Sequence, residues 1–232
     1  MLSVVPSGAA VEVARNIAAT AGRAGAQPLV ADLNAISSGA VAAAAVSLSA
    51  AGLHLVDGSI SGPPPRFAGS TVIYLSGPRA AQVASLDAPG LELRVVGDEV
   101  GTASAIKMST ASFYKGQTAI FVQALRSARA HGVLEYVLHD LGRNYPDLVD
   151  DAPRMLQSIA AKSGRDVAER KEIAASQEAA GLPSELFAAL AKVFTELSHS
   201  PAATHSPEEA DAGATLEDVL ADLDTPGQRG SS

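Results

Sequence analysis

The 232-residue chain has no cysteine and no tryptophan, and only five phenylalanines and four tyrosines. Without cysteine there are no disulfides, thiolate metal sites or cysteine nucleophiles. So few aromatic rings leave no platform on which nucleic-acid bases could stack. Basic residues are also scarce. Seventeen Lys and Arg stand against 25 Asp and Glu, for a net charge of −8, which argues against a nucleic-acid partner. The five histidines (His54, His131, His139, His199, His205) show no metal-ligand spacing, so no metal is expected. No basic n-region of a signal peptide opens the chain. The apolar run at residues 40–53 is rich in Ala, Ser and Gly, is too short to span a bilayer, and reads as a buried helix. These absences leave a cytoplasmic protein without a membrane partner as the expectation.

Hydrophobic residues make up 47% of the chain, much of it alanine, which lets helices approach closely. Strand-like runs at residues 2–6, 28–33, 53–57, 72–77 and 91–96 alternate with helical runs at 8–22, 37–51 and 78–86. That alternation predicts βαβ units and a parallel sheet, with the loops after the strands gathered on one rim. The segment Ser61-Gly62-Pro63-Pro64-Pro65 lacks three backbone donors and is a rigid loop. Beyond Val100 strands cease. A helix of about thirty residues runs to Ala130 and stops at His131-Gly132. Helices at 133–141, 148–161, 166–180 and 184–197 follow, with breaks at 142–146, 162–164 and 181–183, and with Ser163 and Ser184 as candidate caps. After Ser200 the composition turns to Pro, Ala, Gly, Ser and acidic residues, an expected disordered acidic tail with at most a transient helix at 216–223.

One lysine stands out. In Gly97-Asp98-Glu99-Val100-Gly101-Thr102-Ala103-Ser104-Ala105-Ile106-Lys107, a strand feeds a glycine-punctuated turn and the turn opens the long helix. Lys107 lies two turns in, among Ala103, Ala105, Ile106 and Met108, so its charge needs a partner, a ligand or a route to water. A desolvated lysine shifts its pKa readily and suits proton transfer or anion binding. The other reading is a surface lysine whose stem lies along apolar neighbours. Asp57 ends a strand at the expected rim, where a turn-capping role competes with a functional one.

The order of these parts resembles the β-hydroxyacid dehydrogenase superfamily, which includes 3-hydroxyisobutyrate and 6-phosphogluconate dehydrogenases. The stretch Asp57-Gly58-Ser59-Ile60-Ser61-Gly62-Pro63 is similar to its substrate loop D-A-P-V-S-G-G, and Gly101 to Lys107 to its G-x-G-x-x-x-K helix. Asp32-Leu33-Asn34-Ala35 sits where the family has D-x-S-T or D-x-N beside the nicotinamide. The wording is closest to a poorly characterised subgroup, and the likeness runs from Leu2 to about Leu197. It implies hydride transfer between NAD or NADP and a small anionic hydroxy acid, with Lys107 as general acid or base. It also implies Ser61 and Gly62 at the substrate carboxylate, and Pro6, Asn34 and Ala35 along the nicotinamide and ribose. Lys171, within Arg170-Lys171-Glu172, is the candidate for a cofactor-facing lysine. Two departures bear on the site. The family's asparagine one turn after the lysine is absent, and Thr110, the nearest candidate to replace it, offers a hydroxyl rather than a carboxamide. Pro63 replaces a glycine and removes a donor for an anion, for which Arg66 would compensate. Lys115, about two turns beyond Lys107, is a further substrate contact or a solvated charge, and Arg79 is a further anion partner or a solvated one. His131 and His139 read as helix-end or interface residues.

No G-x-G-x-x-G occurs in these 232 residues. By the resemblance, residues 2–5 correspond to a later strand of the nucleotide domain, and about sixty residues, the first two βα units, belong upstream. The expectation is therefore residues 1–99 as a partial Rossmann-like NAD(P)-binding domain, 100–199 as an all-helical domain for dimerisation and substrate, and 200–232 as the tail. Leu125, Ala128, Leu134, Val137 and Leu138 are the expected homodimer surface. The expected function is an NAD(P)-dependent oxidoreductase, inactive or impaired at this length. The alternative is a non-catalytic dimeric binding or structural remnant of that fold.

Overall fold

Five strands form one sheet in the order β1-β2-β3-β4-β5: Leu2–Ser3, Val30–Asp32, Leu55–Ser61, Thr71–Ser76 and Leu91–Gly97. The pairs β1/β2, β2/β3 and β4/β5 are parallel. The pair β3/β4 is antiparallel, with Asp57 opposite Ser76 and Ser61 opposite Val72, which corrects the all-parallel expectation. The cause is the short proline-rich connection after Ser61, which allows a hairpin but not a crossover. The computed structural model describes residues 1–64, 67, 69–86, 89–204 and 213–224.

The chain divides into two compact units, with boundaries inside two long helices. The first comprises Met1–Phe113 and Lys171–Phe187. It holds the sheet, α1 (Ala10–Ala24), α2 (Ser38–Ser49), α3 (Ala80–Ala84) and the start of α4 (Thr102–Ala130). On α1, Ala10, Ala14, Ala18 and Ala21 form a stripe at helical spacing. They pack with Val41, Ala44 and Leu48 of α2 and with Val30 and Leu55 of the sheet. The alternate strand residues Ala31 and Val56 point to the other face, where they pack with Ile73, Leu75, Ala80 and Val83. β2 is buried throughout, as its apolar run predicts. β1 is buried only at Ser3: Leu2 is 57% exposed, and Val4 just after the strand 63%, because the strand lies at the sheet edge with one neighbour.

The second unit comprises Tyr114–Arg170 and Ala188–Ser232. It holds the rest of α4, α5 (Leu134–Gly142), α6 (Pro146–Asp150), most of α7 (Ala152–Ala179), most of α8 (Glu185–Leu197) and α9 (Leu216–Asp224). No break occurs at residues 162–164. α7 runs through them, Ser163 is buried, and its hydroxyl donates to the Ala160 carbonyl (2.6 Å) rather than capping a helix. A mid-helix glycine costs about 1 kcal/mol, which does not stop a helix of this length. Leu125 and Ala128 are buried within the chain, so they cannot form a subunit surface; Leu134, Val137 and Leu138 are half-buried.

The tail also differs from expectation between Leu216 and Asp224, where α9 buries Val219, Leu220 and Leu223. Thr215 and Asp218 form a reciprocal cap at its start, and Arg126 and Arg129 of α4 pair with Asp224 and Glu217. Residues 205–212 and 225–232 of the expected tail lie outside the described residues. No described helix is long and apolar enough to cross a membrane.

At the seam of β1 and β2, the buried Asp32 carboxylate accepts the Asn34 N–H (2.9 Å). Burial pushes the Asp32 pKa up, against the pull of its hydrogen bonds with Asn34 and Ser3. A carboxyl raised in the folded state loses stability as pH climbs from its unfolded value through its folded one. Asp32→Asn keeps an acceptor for that N–H. Its thermal midpoint is expected to match the parent below about pH 4 and to gain on it as pH rises further. A variant that instead loses ground with rising pH in a melting series contradicts this.

Candidate active site

The candidate site is built on the N-terminus of α4. A helix leaves its first N–H groups without intrahelical partners, and here each is met. The Asp57 carboxylate, on β3, accepts from Gly101 N–H (3.0 Å) and Ser104 N–H (3.0 Å) through Oδ2, and from the Ser104 hydroxyl (2.6 Å) through Oδ1. The Ser76 hydroxyl donates to the same Asp57 Oδ2 (2.9 Å) and accepts from Ala103 N–H (3.0 Å). The Thr102 N–H meets the Glu99 carbonyl (3.4 Å). The Ser59 hydroxyl, also on β3, donates to the Ala103 carbonyl (2.8 Å). A negative charge at a helix N-terminus is favourable on dipole grounds as well. Gly101 holds φ +108°, a backbone open to glycine alone at this cap. Asp57 is thus a cap, but of a helix 44 residues away rather than of its own turn.

This clamp sets where Lys107 reaches. Its Nζ donates to the Ile60 carbonyl at 2.8 Å, and the side chain is half-buried. The next residues are Ser61, half-buried at the end of β3, and Gly62, exposed at φ +105°. A side chain on Gly62 would collide with the Ser70 carbonyl, so the turn needs glycine. The Thr71 hydroxyl donates to the Pro63 carbonyl and ties the loop back to β4. The parallel strands β1, β2 and β3 carry their carboxyl ends, and with them Pro6, Ala35 and Ser61, to the same rim.

The structure holds Lys107 at the Ile60 carbonyl, beside the Ser61–Gly62 turn, with Pro6 and Ala35 on the same rim, while other sequence candidates are engaged elsewhere. The Thr110 hydroxyl folds onto its own helix, to the carbonyls of Ile106 (3.0 Å) and Lys107 (3.1 Å). The Asn34 carboxamide is buried, donating to the Ser3 hydroxyl (3.1 Å) and accepting from Val5 N–H (2.6 Å), so it fastens β1 to the loop after β2. Pro6 is exposed and Ala35 half-buried. Lys171 is exposed, while its neighbour Glu172 accepts the Ser37 N–H (2.8 Å) at the start of α2. Arg79 pairs with Gln82, and His131 and His139 are exposed. Arg66 lies outside the described residues. Lys115 belongs to the second unit, in ion pairs with Asp166 (3.3 Å) and Glu169 (2.7 Å). Sequence reasoning missed Ser76, Ser104 and Glu172. The one available signal was Ser104 three residues after Gly101, the spacing of a helix's first turn.

A dinucleotide is the cofactor the fold implies. Pro6 is exposed and Ala35 partly exposed at the rim, open to an apolar ring, but the Asn34 carboxamide is already committed within the fold. No glycine-rich turn among these residues would cradle a diphosphate. Among the described residues no cluster of His, Asp and Glu is arranged to hold a metal ion.

Comparison with known proteins adds the following. Residues 128–197 match a family described as a domain of unknown function, DUF1932. No curated protein matches the sequence. A conserved hypothetical protein from Sinorhizobium meliloti has a similar structure at 26% identity and TM-score 0.68, covering 96% of this chain and 73% of that one. The conserved protein MTH1747, of unknown function and structurally similar to 3-hydroxyacid dehydrogenases, is 30% identical at TM-score 0.63, covering 84% of this chain and 73% of that one. The 3-hydroxyisobutyrate dehydrogenase of Mycobacterium tuberculosis shares the fold at 16% identity and TM-score 0.60, covering 97% and 79%.

The Asp57 clamp predicts a measurable cost. Asp57→Leu leaves the Gly101 and Ser104 N–H groups without an acceptor, and is expected to lower unfolding free energy by about 2 kcal/mol or more. A urea titration showing less than about 0.5 kcal/mol of change contradicts the clamp.

Proposed function

Since the chain belongs to the β-hydroxyacid dehydrogenase superfamily, we propose that it serves NAD(P)-dependent oxidation or reduction of a small anionic hydroxy acid, with Lys107 handling the proton. The observation that carries this reading is the Lys107 Nζ held 2.8 Å from the Ile60 carbonyl, one residue before Ser61 and Gly62. In this reading the Ser61 hydroxyl and the Gly62 N–H hold the substrate carboxylate. The substrate's carbonyl or hydroxyl oxygen then lies toward Lys107, which gives a proton to that oxygen in reduction and takes it in oxidation. The nicotinamide, when bound, supplies or accepts the hydride. Apolar contact at Pro6 and Ala35 would exclude water from that side of the rim. Thr110, with its hydroxyl turned to its own helix, does not take the place of a carboxamide at the substrate.

A homodimer is part of the same proposal. Ile120 (58% exposed) and Tyr136 (78% exposed) offer apolar surface on the second unit in place of Leu125 and Ala128. The second reading, a non-catalytic remnant that binds without turning over, is favoured by one observation: these 232 residues contain no diphosphate cradle.

Two experiments separate the readings. Calorimetric titration of the 232-residue protein with NADPH is expected to show weak or no binding; micromolar affinity contradicts this account of the missing glycine turn. Where a protein carrying this chain turns over 3-hydroxy acids, followed at the NAD(P)H absorbance, Lys107→Met is expected to lower kcat about a hundredfold or more. Unchanged turnover removes Lys107 from the mechanism.

A further inference from the structure

The second unit contains a cavity of about 300 Å³ that the proposed reaction does not use. Its wall carries four cationic side chains, Lys115, Arg154, Lys162 and Arg170, and two carboxylates, Asp151 and Asp166. The ion pairs do not balance. Asp166 is shared between Lys115 (3.3 Å) and Arg170 (3.4 Å), Glu169 adds a contact to Lys115 (2.7 Å), and Asp151 takes Arg154 (2.7 Å). Lys162 donates to a neutral group, the Ser158 hydroxyl (2.9 Å). Counting Glu169, three carboxylates meet four cations, and one positive charge is left over.

The second observation is Arg170 itself. Its side chain is 1% exposed and lies on the face of Phe194, with the guanidinium carbon 3.1 Å from the ring centroid. Its Nη1 donates to the Asp166 carbonyl (3.1 Å), yet its Nε is buried with no hydrogen-bond partner. A buried donor left unmet costs about 1–3 kcal/mol, and a buried charge needs compensation nearby. The buried guanidinium adds its charge to a cavity wall that already carries excess positive charge, which favours an anion there.

We propose that this cavity binds a small oxyanion, a carboxylate or a phosphate monoester. Lys162 and the Ser158 hydroxyl contact it directly, Arg154 closes the exposed side, and Lys115 and Arg170 supply field from the buried side. The volume lies at the small end of ligand pockets, so the ligand is a metabolite fragment rather than a nucleotide. The net positive wall excludes a metal cation. All the lining residues lie within the second unit, so this inference does not depend on the role given to Lys107.

The test is calorimetric titration of the full 232-residue protein with sodium phosphate and, separately, sodium acetate, at ionic strength held constant with chloride. Saturable one-site binding of at least one anion is expected, and the tighter of the two identifies the class. Lys162→Met, which keeps the aliphatic stem, is expected to weaken that binding about tenfold or more. Arg154→Gln, at a side chain 79% exposed and so tolerant of change, is expected to weaken it about threefold or more and serves if Lys162→Met does not fold. Lys107→Met is expected to bind the anion as the parent does. The proposal is overturned if neither anion saturates, if folded Lys162→Met and Arg154→Gln bind like the parent, or if Lys107→Met abolishes binding.

Discussion

A single buried carboxylate organises the first unit. Asp57 stands in the middle of the sheet and takes the N–H groups of Gly101 and Ser104, the hydroxyl of Ser104 and the hydroxyl of Ser76. Left alone, that carboxylate would be costly to bury, and the first turn of α4 would carry unmet donors. Together they satisfy one another. Because Ser59 and Ser76 also fasten α4, through Ala103, its start is fixed to β3 and β4 at several atoms. Lys107 then reaches the Ile60 carbonyl from a rigid base, and the position of its charge is a consequence of the cap.

The family relationship gives this arrangement its chemical meaning. In the proposed reaction, a lysine on α4 that meets the end of β3 at Ile60 would pass a proton to or from one oxygen while Ser61 and Gly62 hold a neighbouring carboxylate. The physical departures from the family pattern are local. Thr110 spends its hydroxyl on the helix backbone, and Asn34 spends its carboxamide on Ser3 and Val5. In the second unit, charge is arranged differently: Lys115, on the same helix as Lys107, sits among Asp166, Glu169 and the buried Arg170. One helix therefore carries two lysines with distinct surroundings.

Much of the first unit was legible in the sequence, because its signals are periodic. Strand and helix alternation placed all five strands and the alanine-rich α1, although β3 runs past its expected end at Asp57, so that Asp57 lies within the strand and Ser61 closes it rather than opening the loop. The approach of Lys107 to the end of β3 followed from a family motif rather than from periodicity. What was not legible depends on partners distant in the chain. Nothing near Asp57 announces that it caps a helix 44 residues on, and nothing near Asn34 announces Ser3. The antiparallel β3/β4 pair was written in the shortness of the proline-rich loop, a signal outweighed by the βαβ rhythm around it. Gly164 looked like a break because glycine is a poor helix former, yet the packing of α7 overrides one such residue. α9 was placed at 216–223 but expected to be transient, because its acidic, Pro- and Ala-rich context outweighed Leu216, Val219, Leu220 and Leu223 repeating at helical spacing behind the Thr215–Asp218 cap.

The most direct test of this account is amide hydrogen exchange at Gly101 and Ser104. Amides in the first turn of an uncapped helix exchange almost as fast as in open chain, whereas those held by a buried carboxylate open only with the surrounding structure. The account predicts that both amides are protected to the level of the β3 amides. Exchange at the rate of free helix ends would contradict it, and with it the reason for Lys107 being where it is.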